Sequence, residues 1–324
     1  PGAGAAAAAA VARRRAGPAA RPGSGRLRRA DAVARRWAAN LRQLRAASQG
    51  LPDAARADLD AVEARWTTWL AGRAGLLDSR ADGGCVVDGH GDLQADDVFL
   101  LPDGPAVIDC LEFDDALRAV DVADDLAFLA MDLEHLGRPD LAADLVTAYD
   151  AAAATHGREP LPPPLVHVWA AYRAVVRAMV TALRAGQEDH ADPHRSDSLA
   201  DAAALLGIAR RRMEAAEVRL VLVGGSPGSG KSKLARGLAA AAGWEVVRTD
   251  DVRRDVLGEP GPAPPPGSAG AAPRRPDRYD PAAVARVYDA VIDPARTRLG
   301  AGRSALLDAT RRAQARRGAP PPPP

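Results

Sequence analysis

The sequence predicts an α/β protein in two parts: a mostly helical first part with a small β-hairpin, then a partial parallel αβα sheet. Three observations lead there. Apolar residues recur at helical spacing through most of residues 30–217. Two short β-branched and aromatic runs flank the turn signal Pro102-Asp103-Gly104-Pro105. From Val218 onward, three aliphatic runs alternate with helix-forming stretches, the spacing of a parallel sheet.

Residues 1–30 are Ala/Gly/Arg/Pro-rich, and the glycines and prolines interrupt any amphipathic face, so a disordered low-complexity tail is expected. In the stretch that follows, Trp37, Leu41 and Leu44 share one helix face, and Leu59, Val62, Trp66, Trp69 and Leu70 share another. Leu51-Pro52-Asp53 separates the two helices. The tryptophans read as core anchors. A strand is expected at 85–88 and a hairpin with arms at 98–101 and 106–109. Helices are expected at about 120–136, 139–155, 164–186 and 196–217, with Pro160 and Pro162 to Pro164 before the third.

The second part reads strand 219–223, helix 232–242, strand 245–249, helix 281–299 with Pro294 inside it, and strand 304–308. Residues 258–277 are Pro/Gly/Ala-rich and read as a disordered insertion, and 315–324 as a proline tail. The expected organisation is therefore a tail at 1–30, a helical lobe at 31–217, a sheet domain at 218–314 and a tail at 315–324. The first residue is not methionine and the last five are prolines, so the chain reads as truncated at both ends.

The formal net charge is +1, which gives no global basic field for nucleic acid. Cys85 and Cys110 supply neither a disulfide framework nor metal-ligand spacing, which suits a reducing cytoplasm. No run is long and apolar enough to span a bilayer.

Of 43 basic residues only Lys231 and Lys233 are lysines, and both fall in one glycine-rich stretch. Its frame, Gly225-Ser226-Pro227-Gly228-Ser229-Gly230-Lys231-Ser232, is the phosphate-loop pattern. A strand delivers the loop and a helix leaves it, so successive N–H groups can wrap an anion at the positive end of the helix. Lys231 would neutralise phosphate charge, and the Ser232 hydroxyl would ligate Mg²⁺. Lys233 reads as a solvated helix residue. Asp250, Asp251 and Arg253 follow the second strand, and Asp308 ends the third, the edge at which open α/β sheets bind ligands. Asp250 could accept a proton from a substrate hydroxyl or could cap the helix that follows. Arg253 could hold a phosphate, and Asp308 could help place Mg²⁺.

On these residues the stretch 218–314 resembles small P-loop kinases of the predicted-kinase, polynucleotide-kinase and zeta-toxin-like kind. That resemblance implies ATP and Mg²⁺ as cofactors and phosphorylation of a hydroxyl on an acceptor that the sequence does not name. It assigns the substrate carboxylate to Asp250, with Arg253 beside it. Such domains continue through a lid bearing arginines and further strands, and this chain departs from that pattern.

A second constellation lies upstream. Gly89-His90-Gly91-Asp92 precedes Asp97 by five residues, and Asp109 follows a hairpin away. One aspartate for a hydroxyl proton and two for Mg²⁺ is an arrangement of kinase-like folds. The segment 30–215 resembles the helical lobe of aminoglycoside phosphotransferases, with Asp97 where that family has Asn. Asp121 to Asp125 also match the family. His90 is expected to orient the loop rather than act as a base. No lysine precedes residue 231, so the strand-rich lobe with its ATP-anchoring lysine has no counterpart here.

Together the two resemblances suggest a bacterial two-part protein, a phosphotransferase-like lobe fused to a P-loop kinase domain. Catalysis at Asp250, catalysis at Asp92, or a nucleotide-binding module without transfer remain the three alternatives. A nucleic-acid role for the arginine-rich tail is a weaker fourth.

Overall fold

A computed structural model describes residues 29–102, 104–112, 115–155, 157–187, 193–226, 228–257 and 281–310. The low-complexity tails and the 258–277 insertion fall outside the described residues. Contacts divide the chain into two compact units, 1–217 and 218–324.

Unit 1 is helical. α1 (Ala30–Ala47) and α2 (Asp53–Asp82) are followed by β1 (Val86–Asp88), β2 (Val98–Leu101) and β3 (Gly104–Val107). Next come α3 (Asp115–Arg118), β4 (Ala119–Asp121), α4 (Val122–His135), α5 (Pro139–Ala154), α6 (Pro163–Gln187) and α7 (Pro193–Ala215). α1 buries Val33, Trp37, Leu41 and Leu44, the i, i+4, i+3 stripe of one helix face. Trp37 stacks on Trp66 of α2 at 4.3 Å between ring centroids, and Trp66 lies 5.9 Å from Trp69. The tryptophans are core residues, as their spacing predicts. α2 is bent at Arg73, whose φ of −140° leaves the helical region.

α4 sits at the centre. Every residue from Val122 to Asp132 is buried, because the helix has neighbours on all sides. Three of those residues, Asp124, Asp125 and Asp132, are carboxylates, and each has a specific partner described below.

Two differences from expectation concern strands. Ala119–Asp121 is a strand antiparallel to β1, with Val86 opposite Asp121 and Asp88 opposite Ala119, rather than the first turn of the next helix. A three-residue strand held by a partner more than 30 positions upstream leaves no local periodicity to read. The hairpin turn is also tighter: Leu101 pairs with Gly104, so β3 ends at Val107 and Asp109 lies beyond the strand. Gly104 has a φ of +119°, which only glycine adopts freely. Phe99, Leu100, Leu101 and Ile108 are exposed.

Unit 2 contains β5 (Leu220–Gly225), α8 (Lys231–Ala242), β6 (Glu245–Arg248), α9 (Thr249–Leu257), α10 (Pro281–Gly300) and β7 (Ala305–Thr310). The three strands are parallel in the order β5-β7-β6. β7 therefore lies between the strand that delivers the glycine-rich loop and the strand that delivers Asp250. Along β7 alternate side chains serve opposite faces. Leu306 packs with Val223 and Ala235 of α8, and Leu307 with Val247, Val287 and Val291 on the α9/α10 side. This three-layer arrangement, following a mostly helical N-terminal region, makes the chain α/β.

Candidate functional site

The loop from Gly225 to Ser232 is carried as its sequence requires. Gly228 (φ +79°) and Gly230 (φ +80°) both occupy the left-handed region, and Gly230 is the residue from which α8 starts. Ser229 N–H donates to the Ser226 carbonyl at 3.2 Å, closing a turn. A Cβ on Gly225 would lie 2.7 Å from Ser229 Oγ, and Cβ and Cδ of Lys231 would lie 3.8 Å from it. The Lys231 stem thus lies against the glycine that opens the loop. Within α8 the Gly230 carbonyl takes the N–H groups of Lys233 and Leu234. The first amides of a helix have no partner within it and face an incoming anion. Lys231 and Ser232 are half-buried and Lys233 is exposed. Pro227 lies outside the described residues.

Asp308 pairs in register with Val223 of β5 and with Arg248 of β6. It is two residues past Leu306 and so shares the face covered by α8, the helix that leaves the glycine loop. The residue is 6% exposed, and its Oδ1 has no hydrogen-bond partner among the described residues. A buried carboxylate oxygen without a partner costs about 1–3 kcal/mol or more, so something else must satisfy it. A hard divalent cation, or its bound water, fits that donor and that position.

Asp250 is exposed, in the first turn of α9, and accepts from Arg253 Nη1 at 2.8 Å. Asp251 is engaged by Arg254 and lies 3.5 Å from Arg248. Sequence reasoning gave Thr249 to the second strand. It instead opens α9, is buried, and donates its hydroxyl to the Asp308 carbonyl at 2.8 Å. The sequence signal was present in the Thr-Asp-Asp string, but only the strand order brings Thr249 and Asp308 together.

In unit 1 the Gly89–Asp92 loop is gripped from beneath by α4 and α6. Asp125 accepts the His90 amide at 2.7 Å and the Gly91 amide at 2.9 Å. Burial pushes the Asp125 carboxyl above the usual range, although Arg173 and these two amides oppose the shift. Arg173 binds both oxygens of Asp124, at 2.6 and 2.9 Å, and donates to the Gly91 carbonyl at 2.8 Å. The glycines are required by space. A Cβ on Gly89 would lie 2.2 Å from Val120 and 2.3 Å from Asp125, and one on Gly91 (φ +84°) would lie 2.8 Å from Leu111.

His90 Nε2 donates to the Ile108 carbonyl at 2.7 Å, which ties the loop to the hairpin and agrees with an orienting role. Asp92 is half-buried and accepts from Gln94 Nε2 at 3.3 Å. Asp97 accepts the Gln94 amide at 2.8 Å and so caps its own 3₁₀ turn, and Asp132 accepts the Ala95 amide at 2.9 Å. Asp109 is exposed, with a φ of +61°. Gln94 thus links Asp92 and Asp97, and Asp109 lies exposed beyond the end of β3. Among the described residues, no group of three or more His, Cys, Asp or Glu side chains is placed to hold a metal ion.

Residues 220–319 match the family model described as AAA domain. That match and the parallel three-stranded sheet are consistent with a P-loop NTPase-like domain in the C-terminal part of the chain. Uncharacterized proteins of Mycobacterium bovis and of two Mycobacterium tuberculosis strains are each 42% identical over 287 residues, which is 86% of this chain and 53% of the relative. The chain spans about half the length of these curated relatives. No solved structure matches it. Among the described residues, no helix is long and apolar enough to cross a membrane. Loop, helix start, sheet order and family match converge on one statement: the C-terminal unit resembles nucleotide-binding, kinase-like P-loop domains.

Proposed function

We propose that residues 218–314 form an ATP- and Mg²⁺-dependent kinase domain that transfers the γ-phosphoryl group to a hydroxyl. The observation that supports this reading is that Asp308, whose buried Oδ1 is unpartnered among the described residues, lies on the strand next to β5, which leads into the 225–232 loop. The backbone amides at Gly228, Gly230 and Lys231 would cradle the phosphates, with Ser226, Pro227 and Ser229 completing the loop and Gly225 admitting the Lys231 stem. Lys231 would sit against the transferring phosphoryl group. Ser232 and Asp308 would hold Mg²⁺, which when bound neutralises charge on the phosphate oxygens.

Asp250 would take the proton of the acceptor hydroxyl as its oxygen bonds to phosphorus and the bond to the ADP oxygen breaks. Arg253, now paired with Asp250, would turn to the acceptor or to the transferring group. The acceptor class is tested by incubating the protein with radiolabelled ATP and sugars, nucleosides, 5′-hydroxyl oligonucleotides and aminoglycosides. Transfer to one class by the wild type, lost in Asp250→Asn, supports the assignment. Transfer unaffected by that change removes Asp250 from the mechanism.

A second reading is favoured by the clamp on the Gly89–Asp92 loop. Residues 31–217 would be an aminoglycoside phosphotransferase-like lobe in which Asp92 takes a hydroxyl proton and Asp97 and Asp109 meet Mg²⁺. Asp97 supports it least, because one of its oxygens already caps a turn. A nucleotide-binding module without transfer is the third reading, distinguished by ATP binding with no labelled product. A reducing, cytoplasmic setting remains part of the proposal.

A further inference from the structure

The β6–β7 ladder ends at the pair Arg248 and Asp308. At the next residue the chain leaves the sheet and becomes helical, and that residue is Thr249. Its hydroxyl donates to the Asp308 carbonyl at 2.8 Å in a buried setting, 2% of the residue being exposed. One side-chain bond therefore fastens the first residue of α9 to the central strand where backbone pairing stops. Asp250 is the next residue along α9, and Asp308 itself carries the unpartnered buried oxygen. A Thr or Ser hydroxyl can donate to a backbone carbonyl, and an aliphatic residue of the same shape cannot.

We propose that Thr249 is a positioning residue that locks the Asp250-bearing helix to the Asp308-bearing strand. It thereby fixes the distance between the group that meets the acceptor and the group that meets the cation. The inference rests on the kinase reading of this unit for its functional consequence, and on geometry alone for the lock. Without the hydroxyl, the start of α9 keeps its packing and the 3.5 Å contact of Asp251 with Arg248, but loses its side-chain bond to β7. Nucleotide affinity in the absence of metal would be spared, because the 225–232 loop is on the other side of β7 from β6. Metal-assisted affinity would not.

The test compares Thr249→Val, which preserves shape, with Thr249→Ser, which preserves the hydroxyl, in the full chain. Circular dichroism first confirms that each is folded. Amide exchange without nucleotide is then read over residues 249–252 and 305–309, and ATP binding is titrated with Mg²⁺ and with EDTA. Exchange in the valine variant is expected to rise about tenfold at those amides, and within about threefold of wild type in the serine variant. The valine variant is expected to lose about tenfold in Mg-ATP affinity and to match wild type in EDTA. Valine behaving as wild type in exchange overturns the proposal, as does equal damage by serine and valine, which would assign the effect to packing. If wild type shows no Lys231-dependent ATP binding, the kinase reading fails separately, and the exchange comparison alone decides the lock. A valine variant too unstable to fold, beside a folded serine variant, counts for the hydroxyl.

Discussion

Arg173 reaches both oxygens of Asp124, at 2.6 and 2.9 Å, and spends its remaining nitrogen on the Gly91 carbonyl at 2.8 Å. Both side chains are buried, with Arg173 7% and Asp124 0% exposed. The guanidinium also lies 4.7 Å from the Phe128 ring centroid. An ion pair this deep recovers its desolvation cost through its geometry, and breaking it strands a charge. Asp124→Ala should therefore cost about 3–5 kcal/mol of unit 1 stability, read by urea unfolding followed through tryptophan fluorescence. Asp124→Leu combined with Arg173→Met should cost less than either single change. A double variant as damaged as the sum of the singles would contradict the pairing.

His167 on α6 accepts from Arg212 at 3.1 Å, and Arg212 also binds Glu134 at 2.6 Å. Burial, with the Arg212 charge second, holds the imidazole down to about 4. The folded state thus prefers neutral histidine. Its contribution is present above the unfolded value of about 6.5 and is lost as pH falls through about 4, a change of about 3 kcal/mol at most. Chemical denaturation between pH 7.5 and pH 4.5 should show wild type losing stability faster than His167→Gln. Parallel curves would contradict the assignment.

Gly225, which opens the phosphate loop, and Gly224, just before it in β5, differ in what surrounds them. A Cβ on Gly225 meets Ser229 Oγ at 2.7 Å, and one on Gly224 meets nothing within 4 Å. Gly225→Ala is expected to weaken Mg-ATP binding by at least about tenfold, and Gly224→Ala to leave it within about threefold of wild type. Equal effects would mean that the loop does not close around Gly225 as described.

The parts of the fold that a reader of the sequence could find are those with a local cause. The 225–232 loop needs its glycines for backbone angles set within a few residues, and Trp37, Leu41 and Leu44 mark one face of one helix. What was not legible is long-range. Nothing near Ala119–Asp121 announces a strand, because its partner is β1. Asp124 and Asp125 read as a helix start in a family-like string, and their partners, Arg173 and the His90 and Gly91 amides, are 49, 35 and 34 positions away. Thr249 was assigned to the strand because its side chain, not its backbone, makes the bond to a residue 59 positions downstream. The orphan oxygen of Asp308 likewise exists only once β7 is placed between β5 and β6.

The central claim is that nucleotide binds at the loop carrying Lys231. The direct test is calorimetric titration of Mg-ATP into the wild type and into Lys231→Ala, with folding of both confirmed. The account predicts one-site binding by the wild type, weakened at least about a hundredfold in the variant, as expected for losing a charge-assisted contact to phosphate. Binding that persists in Lys231→Ala would move the nucleotide to another site, with the Asp92 loop the next to examine. No binding by a folded wild type would contradict the kinase reading of this chain.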